Sequence, residues 1–364
     1  MRNSPDARGA MPSGTEDETI HSALPHATGG RRIEWAAVPG RVAAGMERLL
    51  GSRVIDAVSQ PGGFSEGLAA RVRLADGGRA FVKAASSRTA PVVAGFHRRE
   101  IAISRTLPRT VPAARLLDAY DDGDWVALIF EEIPGRLPAQ PWRPDELEHV
   151  LAAVTELTQA LTPSPVDERL LARPRLGGWT ALATAASSDT GTAEAATSAA
   201  PERAATTSAA AEPSAAGTVR ERLATLSPWA ARHLDDLAAL EERTAPALTG
   251  RTLLHGDLYP FNLLLHERRV FVVDWPHAWV GAAHCDVVTL LAGVSLSGLD
   301  PQPIAERHPL TRDLDPAQID AVLAAHSGFL LRTAASMGPG TDRRLVDMMT
   351  ALGLASLRWL RNRR

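Results

Sequence analysis

Leu253-Leu254-His255-Gly256-Asp257-Leu258-Tyr259-Pro260-Phe261-Asn262, followed after a second hydrophobic run by Val273-Asp274-Trp275, is the stretch that decides how this 364-residue chain reads. Two apolar runs short enough to be strands flank a loop, and the second run ends in a lone acid. The five-residue step from Asp257 to Asn262 lets a carboxylate and an amide face one cleft from a single tight turn. Asp274 then adds a second carboxylate. A carboxylate beside an attacking hydroxyl, with an amide oxygen and another carboxylate to hold magnesium on donor phosphates, is the set that phosphoryl transfer requires.

Composition sharpens this reading. The 39 basic and 42 acidic residues give a net charge of −3, and no basic run with interleaved aromatics points to nucleic acid. The arginines at 358, 361, 363 and 364 read as a solvated cluster. With one cysteine, Cys285, an internal disulfide is excluded. No apolar run approaches 18 residues and no charged-then-apolar leader opens the chain, so no membrane span is expected and a reducing cytoplasm is the default. Among the basic residues there is a single lysine, Lys83; all the others are arginine. Arginine replaces lysine wherever a charge merely meets water. It does not do so where a compact ammonium must fit between a phosphate and a buried carboxylate.

Residues 1–32 are rich in Ser, Thr, Gly, Pro and charge and read as a disordered leader without chemistry. A lobe spanning 33–132 follows. Pro39 to Leu50 reads as a short helix, and Val54 to Ser59 and Leu68 to Leu74 as strands around the turn Pro61-Gly62-Gly63-Phe64-Ser65-Glu66-Gly67. Arg79 to Ala84 is a third strand, carrying Lys83. Pro91 to Leu107 has helical period, with Glu100 amid the apolar positions Val93, Phe96, Ile103 and Leu107. A carboxylate buried there without a cation costs about 3 to 5 kcal/mol, so Glu100 either meets Lys83 or sits at the stripe's edge in water. Arg115 to Tyr120 and Trp125 to Phe130 make five strands. Glu131-Glu132-Ile133 then breaks the pattern, as suits a hinge whose backbone pairs with an adenine edge.

The span 133–364 reads as helical. Pro144 to Leu161 is amphipathic, Thr184 to Thr218 is a low-complexity insertion expected to be disordered, and helical period resumes from Val219 through Leu240. Further helices are expected around Asp286 to Ala292, Pro316 to Ala335 and Arg343 to Leu360. Mixed sheet first and helices after is an α+β pattern.

The series Leu254-His255-Gly256-Asp257, Asn262, Val273-Asp274-Trp275, Gly281 and Asp286 resembles the aminoglycoside phosphotransferase and choline kinase family over residues 35 to 360, most specifically in the catalytic stretch. The resemblance implies a protein-kinase-like two-lobe fold: a small lobe with a five-stranded antiparallel sheet plus helix, a larger helical lobe, and ATP between them. It implies Asp257 as the catalytic base or hydroxyl-orienting group, Asn262 and Asp274 as Mg2+ ligands, Lys83 on the α- and β-phosphates with Glu100 as its partner, and Asp286 bracing the loop. The chain departs from the family in Tyr259 and Phe261, where His and Gly are usual. Its phosphate-covering turn, Gly62-Gly63 with Gly67, also lacks the full GxGxxG. Ser65 there offers a hydroxyl or N–H to a phosphate, or is an ordinary turn serine.

The acceptor implied is a small hydroxylated molecule. Trp275 and Trp279 either line its wall or pack in the core, and Asp300, Glu306, Asp313 and Asp315 would supply the acidic surroundings that a polycationic antibiotic needs. The main rival is a catalytically silent kinase-like binder of nucleotide or ligand. A zinc hydrolase built on His255, His277, His284 and Cys285 lacks HExxH or CxxC and leaves Lys83 unexplained.

Overall fold

The computed structural model describes Ala27 and residues 29–187, 215–338 and 340–364. Its first part is helix α1 (Gly40–Leu50) and strands β1 (Val54–Ser59), β2 (Leu68–Leu74) and β3 (Arg79–Ser86), then helix α2 (Pro91–Ser104) and strands β4 (Leu116–Asp121) and β5 (Trp125–Glu131). The five strands form one antiparallel sheet in the order β1-β2-β3-β5-β4. Alternation along the strands gives the sheet two apolar faces. Leu68, Ala70 and Val72 of β2, Ala80, Val82 and Ala84 of β3 and Ala127 and Ile129 of β5 bury against Val42 and Met46 of α1. Val126, Leu128 and Phe130 turn the other way, onto Ala94 and Ile101 of α2. Pro91 starts α2, where the missing N–H costs nothing.

The second part is mainly helical: α3 (Pro144–Ala160), α4 (Trp179–Ser187), α5 (Ala215–Leu226), α6 (Pro228–Arg232), α7 (Leu234–Glu241) and α8 (Ala245–Leu248). Short strands β6 (Thr252–Leu254), β7 (Leu263–His266), β8 (Arg269–Val272) and β9 (Trp279–Gly281) carry the quoted stretch, with β6 paired to β9 and β7 to β8. Helices α9 (Cys285–Val294), α10 (Pro301–Arg307), α11 (Pro316–Ser336) and α12 (Arg343–Asn362) close the chain. Their apolar stripes, with Trp179, Leu253, Leu254, Trp275 and Trp279, make the main core. This is the expected two-lobe α+β architecture.

Two expectations need correction. The single helical run from Val219 to Leu240 is three helices, because Ser227 caps α6 through its hydroxyl on the Ala230 N–H and Pro228 starts it. Of the expected insertion, Thr184 to Thr218, the ends fall in α4, which runs to Ser187, and α5, which begins at Ala215, and what lies between is outside the described residues. The end of the leader is ordered on the glycine turn. Gly63 N–H donates to Ala27 O at 2.6 Å, Gly30 N–H to Gly63 O at 3.2 Å, and Arg32 donates to Ser65 O at 2.7 Å and to Gly62 O.

Candidate active site

The two-residue period of β3 aims Lys83. Ala80, Val82 and Ala84 face α1, so Lys83 faces α2 and the cleft below it. Its Nζ donates to both Glu100 oxygens at 2.9 Å and to Asp274 Oδ1 at 2.6 Å. Glu100 is 1% exposed, which removes the solvent alternative. Burial pushes the Glu100 carboxyl up, and the Lys83 ammonium and the Trp275 amide oppose it. Burial also works against the ammonium of Lys83, but the carboxylates of Asp274 and Glu100 prevail and raise it. Against the desolvation of the cleft, Lys83 holds Asp274 well below the usual carboxylate range.

Asp274 follows β8 with φ of 70°, a left-handed conformation that aspartate tolerates better than most residues. The turn keeps its side chain 40% exposed to the cleft rather than in the core. Val273 N–H donates to Asn262 O at 3.0 Å, which ties the two metal-ligand candidates together through the backbone. Asn262 Nδ2 donates to the Asp257 carbonyl at 2.8 Å and to Asp257 Oδ2 at 3.0 Å, leaving its amide oxygen for another partner. Arg175 Nη1 donates to Asp257 Oδ1 at 2.7 Å.

The loop itself is held from behind. Asp286 accepts from His255 N–H at 2.7 Å and from Gly256 N–H at 3.1 Å. His255 Nε2 lies 3.0 Å from Val273 O; a carbonyl only accepts, so that nitrogen carries the proton. Gly256 has φ of 74°, and a Cβ there would meet His277 O at 2.4 Å, so no other residue fits. Tyr259, one of the departures from the family pattern, is buried and its hydroxyl lies 2.8 Å from His326 Nε2. The aromatic bulk packs behind the loop and does not displace the polar set.

The remaining candidates fall into three groups. At the glycine turn, Gly62 and Ser65 offer their carbonyls to Arg32, while Gly63 has φ of 84°. At the hinge, the Glu131 N–H already donates to Arg115 O at 2.9 Å, and the carboxylates of Glu131 and Glu132 are spent on Arg115, Arg71 and Arg79. Glu132 and buried Ile133 follow the end of the ladder. Trp275 and Trp279 are both in the core, with Trp275 Nε1 donating to Val272 O, which favours packing over an acceptor wall. The four acids proposed for a polycation are used locally: Asp300 and Asp315 cap α10 and α11, Glu306 bonds Gln302, and Asp313 pairs with Arg312. Arg175 escaped the sequence reading, since it lies in a helix-to-helix connection with neither periodicity nor motif.

A model of the phosphotransferase enzyme family matches residues 61–336, which contain Lys83, Glu100, Asp257, Asn262 and Asp274. The chain belongs to that family. A thermostable mutant of aminoglycoside phosphotransferase APH(4)-Ia is 16% identical, with a TM-score of 0.51 over 88% of this chain and 98% of that one. Spectinomycin phosphotransferase APH(9)-Ia, solved with ADP and spectinomycin, is 8% identical, with a TM-score of 0.52 over the same shares. At such identities these two structures speak to the fold alone. A LicA homologue of Mycoplasma capricolum is 31% identical over 58 residues, 16% of this chain and 24% of that relative, so the match spans about a quarter of the relative's length. No helix among the described residues is long and apolar enough to cross a membrane.

Proposed function

We propose that this family member transfers the γ-phosphoryl group of ATP to a hydroxyl of a small molecule, with Asp257 orienting the hydroxyl. The observation that carries the reading is the meeting of Lys83, Glu100 and Asp274, drawn from β3, α2 and the end of β8, beside a loop that clamps Asp257 with Asn262. A silent binder has no chemical need for the whole set.

The donor set fits a magnesium ion. Asp274 offers a carboxylate oxygen and Asn262 an amide oxygen, hard donors of the kind magnesium prefers, and the Asn262 bonds to Asp257 go through its nitrogen. Magnesium held there would supply charge neutralisation for the donor phosphates. Lys83, locked between two carboxylates, keeps its ammonium fixed toward the α- and β-phosphates, so no reorganisation is needed when the triphosphate arrives. Asp257, with both oxygens already held, has little freedom to turn and orients the acceptor hydroxyl. The lobe boundary near residues 132 and 133 would place the adenine against the backbone of Glu132 and Ile133.

Incubation of the purified protein with magnesium-ATP and a panel of aminoglycosides, sugars, amino alcohols and nucleosides, followed by mass spectrometry, tests the reading. One product heavier by a phosphate, absent with Asp257→Ala, is the expected result. A product formed equally well by Asp257→Ala sinks the assignment.

A further inference from the structure

We propose that Arg175 is a further catalytic residue: its guanidinium binds the equatorial oxygens of the phosphoryl group as that group passes from ATP to the acceptor. The inference rests on the phosphotransferase reading above. In the step itself the acceptor oxygen forms a bond to the γ-phosphorus while the bond from phosphorus to the β,γ-bridging oxygen breaks. ADP leaves with that electron pair, and the hydroxyl proton passes to Asp257 late in transfer.

Charge balance calls for such a group. Lys83 is committed to Glu100 and Asp274, and Asp257 adds a third acid to the cleft where a triphosphate must come, with no contact to that lysine. Two of the histidines nearby, His97 and His277, are held well below their ordinary value. Burial, then the Lys83 charge, lowers His97 to about 3, and burial, then Arg175, lowers His277 to about 4. The Arg32 charge reaches Asp274, but its N–H donors are held on the carbonyls of Gly62 and Ser65, on the first-lobe side of the cleft. Arg175 carries five N–H donors and places one on Asp257 Oδ1 at 2.7 Å. A group that touches the hydroxyl-orienting carboxylate is within one side chain's reach of the transferring phosphorus. Because Asn262 holds Oδ2 from the metal side and Arg175 holds Oδ1, the two donors bracket the carboxylate where charge spreads in transfer.

The placement of Arg175 is built, not incidental. Upstream, Ala172 N–H donates to Ala278 O at 2.9 Å; downstream, Gly177 N–H donates to Ala325 O at 2.7 Å. The amides of Gly178 and Trp179 both donate to the Glu241 carboxylate. Gly177 has φ of 88°, and a Cβ on Gly178 would lie 2.6 Å from Gly328 O, so only glycines let the segment lie this close to α11. The Arg175 guanidinium itself sits over the Phe329 ring at 5.2 Å. Both ends of the segment and the guanidinium are held, with donors left over.

Calorimetric binding of magnesium-ADP, with and without fluoroaluminate as a mimic of the flying phosphoryl group, separates this role from simple packing and needs no known acceptor. Wild-type protein is expected to bind ADP–fluoroaluminate at least about 100-fold more tightly than ADP. Arg175→Ala should keep the ADP affinity within about threefold and lose most of that preference, and added guanidinium ion should restore part of it. Slow ATP hydrolysis by Arg175→Ala should fall about 10³-fold or more in kcat with KM for ATP nearly unchanged. Arg175→Lys, which keeps the charge, controls for folding through its melting temperature and should show an intermediate loss. Full retention of the fluoroaluminate preference in Arg175→Ala overturns the proposal, as does an equal loss of ADP and ADP–fluoroaluminate affinity. A wild-type protein that binds no ADP at all overturns the phosphotransferase reading itself.

Discussion

Lys83 and Asp274 lie 191 residues apart in the chain and meet at 2.6 Å, with Glu100 accepting from the same ammonium on its other side. This cation joins a strand of the first lobe to an acid of the second. Its removal should therefore be felt twice. Lys83→Met leaves Glu100, 1% exposed, without a cation, and should cost about 3 to 5 kcal/mol in urea unfolding. Lys83→Met combined with Glu100→Leu should recover much of that stability while kcat/KM for ATP stays about 10² to 10³-fold down. A single variant as stable as the double would mean that Glu100 is not held by Lys83 in solution.

Asp257 is predicted to act on turnover and not on nucleotide affinity. Asp257→Ala removes the group that orients the hydroxyl but leaves Lys83, Asp274 and the amide oxygen of Asn262 in place. Turnover should drop about 10² to 10⁴-fold. The dissociation constant for magnesium-ADP, measured by calorimetry, should stay within a few-fold. A variant that loses ADP in proportion to its turnover would show that Asp257 organises the nucleotide site instead.

The metal dependence should follow the donor set. Asp274→Asn keeps the shape of the side chain and removes its charge, so the magnesium concentration for half-maximal activity should rise about tenfold or more. Asn262→Ala should show a similar rise together with a lower maximal rate, because Asn262 also holds Asp257 through two hydrogen bonds. Identical magnesium titrations for Asp274→Asn and wild type would remove Asp274 from the metal site. EDTA should abolish turnover in all of them.

How much of this could be read in advance depended on whether a residue's role was written in a local contrast. Lys83 stands out because all other basic residues are arginine, and Glu100 because it interrupts an apolar stripe. Both contrasts survive folding because burial makes each require the other. The strands of the first lobe were legible for the same reason, since alternation and turn glycines act over a few residues. Arg175 has no such contrast: it is one arginine among many, 82 residues from Asp257, and its role arises when Gly177 and Gly178 let its segment lie against α11. Trp275 and Trp279 carried the opposite problem. Their position beside Asp274 and their bulk suggested two roles; the pairing of β9 with β6 turns Trp279 into the core, and the bond from Trp275 Nε1 to Val272 O holds Trp275 there.

The loop's support from behind yields a prediction in pH. Ser356 Oγ donates to Leu352 O at 3.0 Å, so it must accept from His326 Nδ1, 2.8 Å away; His326 Nε2 is then bare and accepts the Tyr259 hydroxyl at 2.8 Å. A proton on Nε2 would face the tyrosine's own O–H, and the site is buried. Burial first, and then the Arg175 charge, lowers the histidine from its ordinary value to about 3. Here the folded value lies below the unfolded one, so between about pH 3 and 6.5 the unfolded chain binds a proton that the folded chain refuses. The stability from this group is full above about pH 6.5 and declines as pH falls through that window, by up to ~1.4 kcal/mol per pH unit. Urea unfolding between pH 5 and 7 should therefore show a shallower pH slope in His326→Gln than in wild type. Parallel slopes would mean that His326 is protonated in the folded protein and that Tyr259 is held by another bond.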